Sequence, residues 1–287
     1  MPTLVNIGPF SVGDQSPHFL IAGPCVIENE KIVMETATAI AEIAAGLNIP
    51  YVFKSSYDKA NRTSIASFRG LGTSEGLRIL NKVKHELKIP VLTDVHEVHD
   101  VPRVADVADI LQIPAFLCRH TDLLCAAEKT GRVVHVQKGQ HQCPWDVANI
   151  VKKLEETGST KLILTERGVS FGYQNLVVDM RAFPVMRALG YPVVFDATHS
   201  VQLPGGGGTR SSGQREFIAP LARAASAAGC DGFFMEVHPF PEQALSDGPN
   251  MVRLSELKQL LEELKVIWEV VGKGNRADSP IEQSAHS

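Results

Sequence analysis

Short apolar runs rich in β-branched and aromatic residues recur along the chain at 19–22, 51–53, 91–93, 110–113, 133–136, 162–164, 193–195 and 232–235, and they predict eight β-strands. Between them lie helical patterns at 32–45, 74–87, 123–129, 145–156, 183–189 and 216–228, and a charged amphipathic stretch at 254–271 follows the last strand. The weakest helical pattern is 98–107, which Pro102 interrupts. Eight alternating βα units predict a (β/α)8 TIM barrel; an open doubly wound sheet would have fewer strands and an early glycine-rich dinucleotide fingerprint, and none is present. The 287 residues suit one barrel domain, 1–287, with a small N-terminal β-hairpin at 3–13 across the barrel bottom and a polar, flexible tail at 272–287. The glycine-rich stretch 204–213, after the seventh strand, is too long for a tight turn and is expected to form a mobile lid.

Charge changes this picture in one respect. Lys and Arg total 28 against 32 acidic residues, and the net charge of −4 gives no electrostatic reason to expect nucleic acid or a bilayer surface as partner. Any anionic ligand must then be held by local cations. Five widely spaced cysteines do not resemble a secreted disulfide framework, the first residues lack a signal-peptide layout, and no apolar run approaches a membrane span. The expectation is a cytoplasmic protein.

In such a barrel the active site forms where strands end and loops begin. Polar residues stand there repeatedly: Lys54, Asp94, Arg119, Lys138, Arg167, His199 and Glu236. Four of these are cations, expected to converge on one mouth and hold a small polyanion bearing phosphate or carboxylate groups. The segment 54–64 adds Ser56, Lys59, Asn61, Arg62 and Thr63 directly after a strand, a density of donors that reads as a clamp for phosphate and sugar hydroxyls. Cys25, His199, Glu236 and Asp247 are candidate metal ligands that meet only if the first and last strands are neighbours in a closed sheet. Their chemistry suits zinc, iron or manganese, but spacing alone leaves a metal site and separate structural roles both open. Cys118, Cys125, Cys143 and Cys230 are expected to pack, and His96, His99, His120, His135, His141 and His238 show no paired metal spacing.

Several of these segments also match a known family. The stretches Ile21-Ala22-Gly23-Pro24-Cys25, 53–64 with its Lys-Ala-Asn-Arg core, 111–119, Glu166-Arg167-Gly168, 195–202 and Ala244-Leu245-Ser246-Asp247-Gly248 resemble 3-deoxy-D-manno-octulosonate 8-phosphate synthases over nearly the whole chain. The resemblance implies condensation of phosphoenolpyruvate with D-arabinose 5-phosphate and water, giving the eight-carbon keto-sugar phosphate and phosphate, a step toward lipopolysaccharide. It implies that Lys54, Ser56, Lys59, Lys138 and Arg167 hold phosphoenolpyruvate and that Asn61, Arg62 and Thr63 hold the sugar phosphate. Asp94 would lie near the sugar hydroxyls, with Arg119 arriving from a neighbouring subunit of a homotetramer. Lys54, Lys59, Lys138 and Asp94 are the candidate catalytic residues. Cys25 stands where the family's metal-independent branch has asparagine, so the resemblance implies a divalent metal ion on Cys25, His199, Glu236 and Asp247. Thr63 replaces a usual serine, and Thr209 lies where the lid is often acidic. The nearest rival is 3-deoxy-D-arabino-heptulosonate 7-phosphate synthase, which takes erythrose 4-phosphate and typically carries Lys-Pro-Arg-Thr where this chain has Lys59-Ala60-Asn61-Arg62-Thr63. A Schiff-base aldolase and a non-catalytic sugar-phosphate-binding barrel are the more distant alternatives.

Overall fold

The eight predicted strands close on one another through parallel pairing. In a computed structural model, which describes residues 3–13, 16–62, 64–158, 160–204 and 212–271, a hairpin of β1 (Val5–Asn6) and β2 (Ser11–Val12) precedes the barrel strands. These are β3 (Phe19–Gly23), β4 (Tyr51–Lys54), β5 (Val91–Asp94), β6 (Ile110–Ile113), β7 (Val133–Gln137) and β8 (Leu162–Glu166). A short antiparallel pair, β9 (Val169–Ser170) and β10 (Leu176–Val177), interrupts the series before β11 (Val193–Asp196) and β12 (Gly232–His238) complete it. The helices between and after them are α1 (Glu30–Leu47), α2 (Thr73–Leu87), α3 (Val101–Ala105), α4 (Thr121–Lys129), α5 (Val147–Glu156), α6 (Ala182–Arg187), α7 (Ile218–Ala227) and α8 (Leu254–Val271), with β13 (Val252–Arg253) leading into α8.

Closure rests on β12, which pairs in parallel with β11 on one side and β3 on the other, in register from Gly232↔Phe19 to Glu236↔Gly23. The seam is tight: a Cβ on Gly232 would lie 2.6 Å from the Phe19 carbonyl oxygen. Residues alternate between two apolar layers, as period 2 requires. One set, including Ile21, Val52, Leu92, Ile110, Ile163, Val194 and Phe234, fills the barrel interior together with Val5, Ile7 and Val12, so the N-terminal hairpin plugs the bottom as expected. The other set, including Leu20, Phe53, Leu111, Val134 and Phe195, packs outward under the helices. Helix α1 shows the rule: Asn29 caps it by accepting from the Ile32 N–H at 2.9 Å, and Val33, Ala37, Ile40 and Ala44 bury one stripe.

Two expectations need correcting. Pro102 does not interrupt a helix: a 3-10 turn, Val98–Asp100, runs into α3, and Pro102 sits in the first turn of that helix, where its missing N–H costs nothing. Seven of the eight barrel strands also run past the ends their apolar patterns predict. The added residues include Lys54, Asp94, Gln137, Asp196 and Glu236, which keep the backbone ladder and share the inward parity of Val52, Leu92, Val133, Val194 and Phe234, and Glu166, which has the outward parity of Leu164. Most of the expected lid, including Thr209, lies outside the described residues, as do Thr63 and the tail 272–287. No helix among the described residues is long and apolar enough to cross a membrane.

Candidate active site

Pairing of β3 with β12 brings the start and end of the chain together at the mouth. Cys25, just beyond β3, is fully buried, and its thiol donates to Asp247 Oδ2 at 3.2 Å and Ser246 Oγ at 3.3 Å. The ligand atoms of Cys25, Glu236 and Asp247 all lie within 4.8 Å of one another. Asp247 adopts a left-handed backbone, φ 52°, at the turn before the 3-10 helix Gly248–Asn250. His199 stands beside this triad and not within it, with its Nε2 3.5 Å from Glu236 Oε1. That same oxygen faces Lys54 Nζ at 3.2 Å and Lys59 Nζ at 3.8 Å, whereas the buried Glu236 Oε2 has no hydrogen-bond partner among the described residues.

This donor set fits a divalent ion. A thiol and two carboxylates converge with an imidazole beside them, one carboxylate oxygen has no partner among the described residues, and the mix of soft and hard donors suits zinc or iron(II). Burial first, then the Asp247 and Glu236 carboxylates, push the Cys25 thiol well above its ordinary value, so only a nearby cation would make it a thiolate.

A cavity of about 280 Å³ opens beside the cluster, lined by Lys54, Lys59, Asn61, Asp94, Arg167 and His199 among others. Burial works against the charge on Asp94, but His96, donating from Nε2 at 3.0 Å, and the ammonium groups of Lys59 and Lys54 hold its carboxyl well below the usual range. Arg167 donates from Nη2 to Gln202 Oε1 at 2.9 Å, and its buried Nε has no partner among the described residues. Ser55 and Ser56, next along the chain from Lys54, are buried outside the cavity's lining, and their hydroxyls have no hydrogen-bond partner among the described residues. The cations Lys54, Lys59 and Arg167 on the cavity wall are the electrostatic complement of a polyanion.

Three predicted residues lie elsewhere. Lys138 is buried behind the cavity wall, with its ammonium donating to the carbonyls of Gln142 at 3.1 Å, Gly168 at 3.3 Å and Gly139 at 3.4 Å, 3.5 Å from Glu166 Oε2. Burial pushes Lys138 down and Glu166 up, drawing the two together. Arg62 turns away from the cavity toward a more open groove of about 880 Å³, where Nη1 donates to Ser246 Oγ at 2.5 Å. Arg119 is exposed and lines neither space, so within one chain three strand-end cations are buried at this end of the barrel and not four. The cysteines divide too: Cys118 and Cys230 pack as expected, Cys125 is half-buried, and Cys143 is exposed because it lies in the turn before Pro144.

The apolar patterns missed His96, Gln112, Gln137 and Asp196, all near the cavity. A carboxylate three residues before His199, both at a strand end, was the available signal for Asp196; the glutamines carried none.

Fold and site define a class: a (β/α)8-barrel enzyme that takes polyanionic small molecules beside a cluster of metal-ligand type. The model of the DAHP synthetase I family matches residues 4–271. Curated relatives named 2-dehydro-3-deoxyphosphooctonate aldolase include proteins of Geobacter sp. strain M21, 58% identical over 94% of this chain and 98% of the relative, and of Pelobacter propionicus, 60% identical over 93% and 98%. A Cyanothece protein of the same name is 61% identical over 90% of this chain and 94% of its own. The chain belongs to the DAHP synthetase I family and, within it, to the 2-dehydro-3-deoxyphosphooctonate aldolases.

Proposed function

We propose that the protein condenses phosphoenolpyruvate with D-arabinose 5-phosphate and water to give 3-deoxy-D-manno-octulosonate 8-phosphate and phosphate. The single observation that carries this reading is the meeting of Lys54, Lys59 and Arg167 with the Cys25, Glu236 and Asp247 cluster at the cavity in the barrel mouth. Membership among the octulosonate aldolases favours the five-carbon acceptor over erythrose 4-phosphate.

The methylene carbon of phosphoenolpyruvate attacks the sugar aldehyde while water adds to the adjacent carbon. The resulting hemiketal phosphate then loses phosphate by carbon–oxygen cleavage. Both substrates are highly charged and repel one another, so Lys54, Ser56, Lys59 and Arg167 hold the carboxylate and phosphate of the enol donor and stabilise the charge that develops. In this reading Lys138 backs that subsite, Asp94 meets the sugar hydroxyls, and Asn61, Arg62 and Thr63 take the sugar phosphate. A neighbouring subunit of a homotetramer supplies Arg119. Cys25, His199, Glu236 and Asp247 would hold a divalent ion such as zinc, iron or manganese, which when bound supplies Lewis acidity toward an oxygen. The cytosol, where both substrates would be made, is its proposed compartment.

A Schiff-base route fits less well. The Lys54 ammonium is engaged by Glu236 and by the Cys25 carbonyl at 3.2 Å, and Lys138 is surrounded by carbonyl oxygens outside the cavity. The decisive experiment measures phosphate release with arabinose 5-phosphate and with erythrose 4-phosphate, before and after chelation. Activity with the pentose phosphate that is lost on chelation and restored by metal is expected. Preference for the tetrose phosphate would overturn the acceptor, and full activity after complete metal removal would overturn the metal.

A further inference from the structure

Asp196 ends β11 and is completely buried, yet it faces the mouth and not the apolar core. Among the described residues, its two carboxylate oxygens are met only by groups placed to donate. Oδ1 accepts from the His199 N–H at 2.8 Å, the Thr198 hydroxyl at 3.1 Å and the Thr198 N–H at 3.2 Å. Oδ2 accepts from Gln137 Nε2 at 3.0 Å and lies 2.7 Å from His199 Nδ1. A carboxylate so surrounded can only accept, which fixes the proton of the neutral imidazole on Nδ1 and leaves the lone pair on Nε2. That nitrogen is the one turned toward Glu236.

The same carboxylate reaches a second member of the cluster. The Thr198 hydroxyl gives its hydrogen to Asp196 and, as acceptor, takes the backbone N–H of Glu236 at 3.1 Å. One buried side chain therefore sets the ring orientation and tautomer of His199 and the height of Glu236 along β12, across the β11–β12 pairing. Gln137, from β7 on the far side of β8, braces it.

We infer that Asp196 is the positioning residue of the metal cluster, holding His199 Nε2 and Glu236 in the geometry that receives a divalent ion. This rests on the reading of Cys25, His199, Glu236 and Asp247 as metal ligands. Outer partners of this kind commonly change metal affinity by about tenfold to a hundredfold.

Asp196→Asn is the informative variant. Its remaining oxygen still accepts from Thr198 and His199 N–H, but its amide donates toward Nδ1 and drives the proton onto Nε2, and Gln137 can turn its unpartnered Oε1 to meet the new amide. Full-length, metal-free protein is titrated with Co2+ and followed by the thiolate-to-cobalt charge-transfer band, with Cys25→Ser as control. We expect the wild type to develop the band, Cys25→Ser to lack it, and Asp196→Asn to bind Co2+ about tenfold to a hundredfold more weakly while giving the same band at saturation. A wild type that develops no band overturns the metal reading itself. A wild type that does, with Asp196→Asn of unchanged affinity, overturns this inference alone; so does a variant whose only defect is a lower Tm of the metal-free protein. If Asp196→Asn does not fold by circular dichroism, Gln137→Leu decides: weakened Co2+ binding supports the inference and unchanged binding overturns it.

Discussion

His135 sits at the level where the apolar interior gives way to the polar mouth. Its Nδ1 lies 3.1 Å from Gln112 Oε1, its Nε2 meets the Thr165 hydroxyl, and the ring is fully buried. Burial pulls its pKa from 6.5 down to about 3, so the folded protein keeps it neutral where an unfolded chain protonates it. A depressed folded-state value means stability is fully present above the unfolded pKa and drains as pH falls toward the folded one. Chelated wild-type protein should therefore lose roughly 1.4 kcal/mol per pH unit below about 6.5 through this residue alone. His135→Gln should be less stable at neutral pH and show a shallower fall between pH 6.5 and 4 in urea denaturation. Parallel curves would show that the imidazole titrates freely in the folded state. Lys59 tests the chemistry in place of the fold. It lines the cavity, 3.8 Å from Glu236, and is only slightly exposed, so Lys59→Met removes a charge from where the proposed function puts the donor's anionic groups. Steady-state kinetics should show kcat/KM lower by on the order of a hundredfold or more, with the urea midpoint little changed; an active variant would remove Lys59 from the catalytic set.

At the scale of elements, the seam between β3 and β12 is what makes a site out of residues more than two hundred positions apart. Gly232 opens the β12 register opposite Phe19, where backbone leaves no room for a side chain. Gly232→Ala should force the strands apart and destabilise the fold by about 1–3 kcal/mol, and a urea midpoint equal to wild type would show the seam to be pliable. The strands themselves were legible because buried β runs are apolar and short, and closure followed from their number. Their ends were not, for a physical reason: an apolar pattern stops at the first polar side chain, and in this barrel those polar residues are still strand. Lys54, Asp94 and Glu236 were readable as strand-end chemistry because charge is conspicuous against an apolar run. Gln112 and Gln137, neutral and buried within the same ladder, were not. Nor does sequence reveal that Asp247 is aimed by a left-handed backbone, or that the Arg62 guanidinium turns toward Ser246.

At the scale of the molecule, apolar side chains crowd the loops that follow the barrel strands. Ile65, Phe116, Phe171, Tyr173 and Phe240 are each more than half exposed, and all lie beyond the C-terminal ends of β4, β6, β8 or β12. Exposed apolar side chains in these loops suit the subunit contact of the proposed homotetramer, and Phe116 lines the cavity as well, so such a contact would border the site. Arg119 belongs to the same loop but is exposed and does not line its own cavity, as expected of an arginine that serves a neighbour's site. This makes assembly testable through catalysis. Arg119→Ala and Lys59→Met should each be inactive as pure proteins. In hetero-oligomers formed by co-expression, a site is intact when its own subunit keeps Lys59 and its neighbour keeps Arg119, which for random closed assembly of equal amounts restores about a quarter of wild-type activity. Recovery near that level would establish that Arg119 acts across the subunit boundary. Activity no greater than that of either parent would place Arg119 in its own subunit's site and break the link between assembly and chemistry.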